Sequence, residues 1–352
     1  MSDDLASAYS EMNLFEVIGV TRVFGRGRIF SKKRHGTQAL DGINLHVRLN
    51  ESLGLVGESG SGKTTLGRIL VNLDQPSSGQ VNFRGSNINE LSGVEKKRFH
   101  HQVQMIFQNP FASLNPYRSV LDILESGFKS LGDVNQKEMR EKIIELLDKV
   151  GMHRDSLARF PHQFSGGQRQ RIVIARALSV SPKVLIADEP VSALDVSIQA
   201  QVLNLLNDLK ASLGLTIVFI THDLRVANFF CDRIAVMYKG RIVELGQTRD
   251  VIENAAHPYT RMLMDAAPSG DPNRKSKRII DEESTENLVG LGAMSAGCNF
   301  ADRCWLRKQV SDSSRCYTES PQPRLVNGTN LVECHFGEEV ALEFAVITGE
   351  KA

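Results

Sequence analysis

The 352-residue sequence has no surplus of either charge. Its 42 Lys and Arg against 41 Asp and Glu leave a formal +1, so no general electrostatic grip on nucleic acid is implied. No stretch approaches the roughly 18 consecutive apolar residues that span a bilayer. The opening MSDDLASAYSEMNLF is acidic and polar, without the basic start and apolar run of a secretory signal, so export is not expected. A membrane role has to come through a partner. Cysteine is scarce: there are five, and only Cys231 lies outside the last 55 residues. That excludes a disulfide framework for most of the chain, and clustered thiols in a cytosolic protein point instead to a metal site. What is present is ordinary for a globular protein with a real core, 41% hydrophobic and 24% charged residues. The length exceeds one average domain, which suggests one large domain with a smaller appendage.

From Asn13 to about Val56 the text reads as short strands: FEVIGVTRVFG, QALDGINLHV and SLGLVG. In the second, Leu40, Ile43, Leu45 and Val47 alternate with polar residues, as in a half-buried strand. The basic stretch GRGRIFSKKRHG between the first two reads as a solvated loop. Residues Lys63–Leu73 read as a helix, and QPSSGQVNFRG as a turn followed by a strand. Residues 110–163 lack β-rich runs, and Met139, Ile143, Leu146, Leu147 and Val150 fall at helical spacing, with Gly151 as the stop. Then come a helix (Gly167–Leu178), a strand (Val184–Ala187), a helix (Ser197–Leu213) and a strand (Thr216–Ile220). Strands alternating with helices predict a parallel sheet wrapped on both faces. The composition shifts at APSGDPNRKSK, which reads as a linker before a cysteine-bearing tail.

The first chemical motif is GESGSGKT, Gly57–Thr64, after the apolar LGLV and before a helix, which is the context a P-loop requires. Glycines let backbone N–H groups turn inward around phosphate oxygens, and the helix start adds a favourable partial charge. Lys63 can reach the β- and γ-phosphates, and the Thr64 hydroxyl can bind Mg²⁺. KVLIADEP is an apolar strand ending in two acids: Asp188 at the tip suits Mg²⁺, and Glu189 can polarise an attacking water. In FSGGQRQRIVIARAL, Ser165 suits an N-cap and Gly166–Gly167 leave backbone open at a second phosphate-seeking helix start. Such a start makes sense if it caps the γ-phosphate held by another subunit. Arg169, Arg171 and Arg176 read as structural ion-pair residues rather than phosphate ligands.

Together these residues resemble the nucleotide-binding subunit of an ABC (ATP-binding cassette) transporter. Six motifs run in the family's order: Gly57–Thr64, Gln108, Ser165–Gln168, Val184–Glu189, SALD at Ser192–Asp195, and His222 in FITHD. One departure is Phe164, where Leu usually stands. The resemblance implies an α/β fold: a P-loop NTPase core with an N-terminal antiparallel β subdomain, a helical insert and a small cysteine-containing C-terminal extension. It divides the chain into a nucleotide-binding domain (1–267, insert about 110–163), a linker (268–277) and an extension (278–352). It implies that Gly57, Ser59, Gly60, Ser61, Gly62, Lys63, Thr64 and Thr65 cradle ATP, with Thr64, Asp188 and Gln108 on Mg²⁺. Glu189, His222 and Gln108 would be catalytic, and Ser165, Gly166, Gly167 and Gln168 would meet the nucleotide of a facing subunit. Asp195 would touch that subunit, and Phe24 would stack on adenine, with Phe30 as competitor.

HPYTRMLMDAAP followed by GCNFADRC resembles the branch serving dipeptide and oligopeptide uptake, whose relatives also import nickel, glutathione, opines or oligosaccharides. The implied partners are two integral-membrane permease subunits, a second ABC ATPase and, indirectly, an extracytoplasmic solute-binding protein; no nucleic acid is expected. The implied place is the cytoplasmic face of a bacterial inner membrane. Cys298-x5-Cys304-x11-Cys316-x17-Cys334 is looser than zinc-ribbon or ferredoxin spacing, so zinc, free thiols and a cluster all remain open on spacing alone. The resemblance implies ligands of a 4Fe–4S cluster. The linker predicts weak coupling between this extension and the nucleotide site. Cys231 reads as a buried apolar filler. Two rivals are a soluble ABC ATPase of DNA repair or translation, disfavoured by one cassette and a short insert, and an inactive cassette, disfavoured by Glu189 and His222.

Overall fold

The computed structural model describes residues 13–25, 36–132, 135–266 and 296–341, without the side chain of Phe111. The expected basic loop and Phe30 fall largely or wholly outside the described residues, and so does the expected linker.

Among the described residues, twelve strands form two sheets. In chain order they are β1 (Asn13–Phe24), β2 (Thr37–Arg48), β3 (Ser52–Val56), β4 (Ser78–Phe83), β5 (Ser86–Asn87) and β6 (Val103–Ile106). They continue with β7 (Val184–Asp188), β8 (Thr216–Thr221), β9 (Arg233–Tyr238), β10 (Arg241–Gln247), β11 (Arg324–Val326) and β12 (Asn330–Val332). An antiparallel sheet of order β2-β1-β4-β5 covers one side of the larger sheet, of order β11-β12-β10-β9-β3-β8-β7-β6. From β9 to β6 the larger sheet is parallel. Every residue of β3, β7 and β8 is buried, because helices or the second sheet cover both faces. Their uninterrupted apolar text has that cause.

Residues 110–163 are helical as expected, with helices Pro110–Ser113, Val120–Ser130 and Gln136–Lys149 and short 3₁₀ turns after them. Met139, Ile143, Leu146 and Leu147 form the buried stripe of the third helix, and Gly151, at φ +68°, donates its N–H to Asp148 to end it. The helix from Lys63 stops at Leu70, short of Leu73. Asn72 turns left-handed there, and its amide donates to the Ile88 carbonyl at 2.8 Å, a tertiary bond that holds the chain where the helix ends. Arg171 and Arg169 bind backbone carbonyls: Arg171 donates to Val150 at 2.8 Å and Arg169 to Pro161 at 2.8 Å. Arg176 likewise donates to the Ser113 carbonyl. All three tie helix Gly166–Leu178 to the insert.

The weakly coupled extension is not what the fold presents. Strand β12 pairs antiparallel with β10, so residues 324–332 extend the parallel core's own sheet. Phe300 lies in the same apolar core as Leu185, Phe219 and the insert's Ile143. The buried Glu244 carboxylate accepts from Asn330 at 3.0 Å and from the backbone N–H of Ala256 at 2.8 Å. The sequence carries no local sign of this pairing, since β12 is only three residues long.

Candidate nucleotide site

The site lies where the parallel strands end. At the tip of β3 the chain enters Gly57, where a Cβ would stand 2.2 Å from the Met237 carbonyl oxygen. At Gly62, φ is +103° and a Cβ would stand 2.5 Å from the Ala39 carbonyl oxygen, so both conformation and space require glycine. Helix Lys63–Leu70 follows directly, leaving its first N–H groups open. Lys63 folds back over the loop, its Nζ donating to the carbonyls of Gly57 at 2.6 Å and Glu58 at 2.8 Å. Burial pushes the Lys63 pKa down, while Glu189 and Asp188 pull it up. Ser59, Gly60 and Thr64 are exposed, Ser61 is buried, and Thr65 is half-buried.

Neighbouring strands deliver the acids. Asp188, at the end of β7, accepts from Thr64 Oγ1 at 3.0 Å. It is 4% exposed, and burial raises its pKa against that hydrogen bond. Glu189 follows with φ +46°, a strained value for a non-glycine residue. Its carboxylate is held from both sides: Gln108 Nε2, beyond the end of β6, donates to Oε2 at 2.9 Å, and His222 Nδ1, beyond β8, lies 3.4 Å from Oε1. Gln108, Glu189 and His222 therefore meet, beside the Thr64–Asp188 pair, because β6, β7 and β8 are adjacent and parallel. A hydroxyl with a buried carboxylate is an oxygen donor set of the kind Mg²⁺ takes.

Ser165 caps helix Gly166–Leu178 through a capping box: its Oγ accepts from Gln168 N at 3.4 Å, and Gln168 Oε1 accepts from Ser165 N at 3.1 Å. These bonds close on each other and none reaches the P-loop. Gly167 serves packing as well, since a Cβ there would stand 2.6 Å from Ile198. Asp195 is exposed at the start of helix Val196–Leu213 without capping it. Phe24 is 39% exposed and carries the Arg22 guanidinium 4.7 Å over its ring.

The sequence reading missed Glu58, Tyr259 and Arg303. The Glu58 backbone N–H donates to Tyr259 Oη at 2.9 Å, and Arg303 grips the Glu58 carboxylate with two hydrogen bonds. Tyr259 belongs to the HPY segment, but no spacing rule connects it to residue 58. These bonds correct the expectation of weak coupling: the extension touches the P-loop.

The four clustered cysteines come from separate segments. Cys298 N donates to the Cys316 carbonyl at 2.8 Å, while Cys316 and Cys334 are buried. Burial pushes all four thiols up, Cys304 to about 11, and their mutual charges raise them further or in the same sense where they interact. Among the described residues, no group of three or more His, Cys, Asp or Glu is arranged to hold a metal ion, so the iron–sulfur expectation gains no geometric support. Cys231 is buried against Gly54, as expected of a filler.

Residues 40–192 match the ABC transporter family model, and residues 243–310 match that for the oligopeptide/dipeptide transporter C-terminal region. The dipeptide transport ATP-binding protein DppF of Haemophilus influenzae is 40% identical over 321 residues, 91% of this chain and 96% of that protein. The oligopeptide transport ATP-binding protein AppF of Bacillus subtilis is 39% identical over 94% of this chain and 99% of that protein. Among solved structures, cbiO1 of Clostridium perfringens, part of an ABC transporter complex, aligns with a TM-score of 0.59 at 28% identity, covering 68% of this chain and 91% of that one. The cassette MJ0796, a dimer in a post-hydrolysis state with ADP and Pi, aligns at 0.58 and 30% identity over 67% of this chain and 99% of that one. With its P-loop, its paired acids and relatives matched along nine-tenths of its length, the chain belongs to the ABC transporter ATP-binding family, in the oligopeptide/dipeptide transporter branch.

Proposed function

We propose that two such cassettes close face to face on Mg-ATP and that hydrolysis between them drives uptake of peptides through membrane-spanning partners. The observation that carries the hydrolytic part is Glu189, held by Gln108 and His222 beside the Thr64–Asp188 pair. In this reading Lys63 leaves the Gly57 and Glu58 carbonyls for the β- and γ-phosphates, and the N–H groups of Gly57–Thr65 take the remaining oxygens. Thr64, Asp188 and Gln108 would hold Mg²⁺, which would supply positive charge against the charge that develops on the phosphates. Glu189 takes the proton of the attacking water, with His222 orienting it and the γ-phosphate. Phe24 stacks on adenine. Ser165, Gly166, Gly167 and Gln168 meet the γ-phosphate bound by the facing cassette, and Asp195 contacts that cassette.

No helix among the described residues is long and apolar enough to cross a membrane. In this reading transport runs through two integral-membrane permease subunits, fed by an extracytoplasmic solute-binding protein and met at the cytoplasmic face of the inner membrane. The insert offers a surface for them, with Tyr117 90% exposed between its first two helices. Peptides are favoured as solute by what the relatives transport. The second cassette is an identical copy or a paralogue. The test is uptake of a labelled dipeptide by cells deleted for this chain. Full-length protein restores uptake and Lys63→Ala does not; equal uptake with and without the chain removes peptides as its solute.

The cysteines belong to the same proposal: Cys298, Cys304, Cys316 and Cys334 hold a 4Fe–4S cluster that clamps the extension. Support lies in four thiols drawn from separate segments into mutual electrostatic range, where a bound cation would stabilise the thiolates that burial disfavours. Anaerobically purified protein is expected to be brown and to contain about four irons per chain. Cys304→Ser loses colour and iron, whereas Cys231→Ser keeps both. Colourless protein with stoichiometric zinc, or with no metal, removes the cluster and leaves the ATPase assignment intact.

A further inference from the structure

Glu58 is the second residue of the phosphate-binding loop, where a free negative charge would oppose that of an incoming triphosphate. Two residues from far along the chain hold it. Tyr259 Oη accepts the Glu58 N–H at 2.9 Å. Arg303 Nη1 donates to Oε2 at 2.8 Å and Nη2 to Oε1 at 2.9 Å, the paired fork that fixes direction as well as charge. The hydrogen bonds from Arg303 hold the Glu58 carboxyl below its usual range, so the group is ionised and needs its partner.

The guanidinium is itself well placed. It sits at the end of the 3₁₀ turn Ala301–Arg303, with Cys298 before that turn and Cys304 directly after it. It lies 5.7 Å from the Tyr238 ring and 5.9 Å from that of Phe300. Tyr238, Tyr259 and Phe300 pack together with centroids 4.6 to 5.5 Å apart. Tyr238 ends β9, the neighbour of β3 that leads into the loop. The extension and the loop thus share a rigid aromatic support. Glu58 also presents its carbonyl to Lys63, so a displaced Glu58 moves the lysine that must meet the nucleotide.

We propose that Arg303 is a positioning residue for ATP binding, which neutralises Glu58 and turns its carboxylate away from the phosphates, so that the extension forms part of the nucleotide site. This goes beyond the hydrolytic mechanism, and it holds whatever metal the cysteines carry and whatever solute is moved. A half-exposed ion pair is worth little to folding, so the effect appears in nucleotide affinity and not in the stability of the nucleotide-free chain.

The test uses the full chain, with a fluorescent ATP analogue for Kd and steady-state hydrolysis for KM and kcat. Arg303→Ala is expected to raise Kd and KM about tenfold, equivalent to about 1.4 kcal/mol, with kcat changed less than about threefold. Arg303→Lys recovers part of the loss, since it restores charge without the fork. In a Glu58→Gln background, where no carboxylate needs neutralising, Arg303→Ala should cost less than about twofold, the non-additivity expected of a direct pair. The nucleotide-free melting temperature is unchanged in Arg303→Lys, while its rise on adding ATP shrinks. Wild-type Kd and KM in Arg303→Ala overturn the proposal. So does an undiminished tenfold loss in the Glu58→Gln background, which would show that Arg303 acts elsewhere. Should Arg303→Ala not fold, the Lys variant and the Glu58→Gln background give the same decision: wild-type affinity in Arg303→Lys, with no change in the ATP-induced shift, overturns it.

Discussion

Glu189→Gln is expected to bind Mg-ATP as tightly as the parent chain and to hydrolyse it ~10²–10⁴-fold more slowly, the usual contribution of a positioned general base. The substitution keeps the side chain's shape and an oxygen that can still accept from Gln108 Nε2, now 2.9 Å from Glu189 Oε2. The Thr64–Asp188 pair is untouched, so the magnesium ligands remain. What disappears is a charge that can take a proton. Affinity should not fall, because one negative charge leaves the neighbourhood of the γ-phosphate. Nucleotide that binds and does not turn over should hold the cassettes together, giving a dimer on size-exclusion chromatography with Mg-ATP. Release of phosphate in a single turnover measures the rate, and near-parental release would take Glu189 out of its assigned role.

Much of this site was legible because its chemistry sits on elements with strong local signals. Strands β7 and β8 are buried on both faces and read as continuous apolar text, with Asp188 and Glu189 at the end of one and His222 just beyond the other. Gly57 and Gly62 are dictated by collisions of a Cβ with the Met237 and Ala39 carbonyls, and Gly60 by its left-handed φ of +81°. Meeting points were less legible. That Gln108 and His222 both reach Glu189 follows from the strand order β6-β7-β8, which motif order alone does not fix.

The extension was the part misread, and the reason is physical. A polar stretch such as APSGDPNRKSK signals a break in local structure, but it says nothing of where the chain docks afterwards. Docking is decided by contacts without local periodicity: two residue pairs between β10 and β12, the buried Glu244–Asn330 bond and the Arg303–Glu58 fork across 245 residues. Cys304→Ser should therefore be judged on ATP affinity as well as on metal, since its neighbour Arg303 holds the loop.

Ser165→Arg should abolish most hydrolysis, and it should do so in the site of the facing subunit. In the proposed arrangement the open N–H groups at the start of helix Gly166–Leu178 receive the γ-phosphate, and losing such donors costs ~10²–10³ in rate. An arginine there covers them and also removes a cap, which costs about 1 kcal/mol of helix stability. Ser165→Asn retains a capping side chain and separates the two effects. In one chain the hydrogen bonds of Ser165 and Gln168 close on each other and do not reach the P-loop, so each nucleotide would draw its loop and its cap from different subunits. Mixing decides it. Lys63→Ala spoils the loop and Ser165→Arg spoils the cap, so each homodimer has two damaged sites. A mixed dimer of the two has one site damaged twice and one intact. With a twofold-symmetric homodimer and independent sites, an equal mixture should recover at most about a quarter of parental activity, where each variant alone shows almost none. Ser165→Arg protein that hydrolyses ATP at the parental rate as a monomer would show that a single chain completes its own site, and the face-to-face arrangement would be wrong.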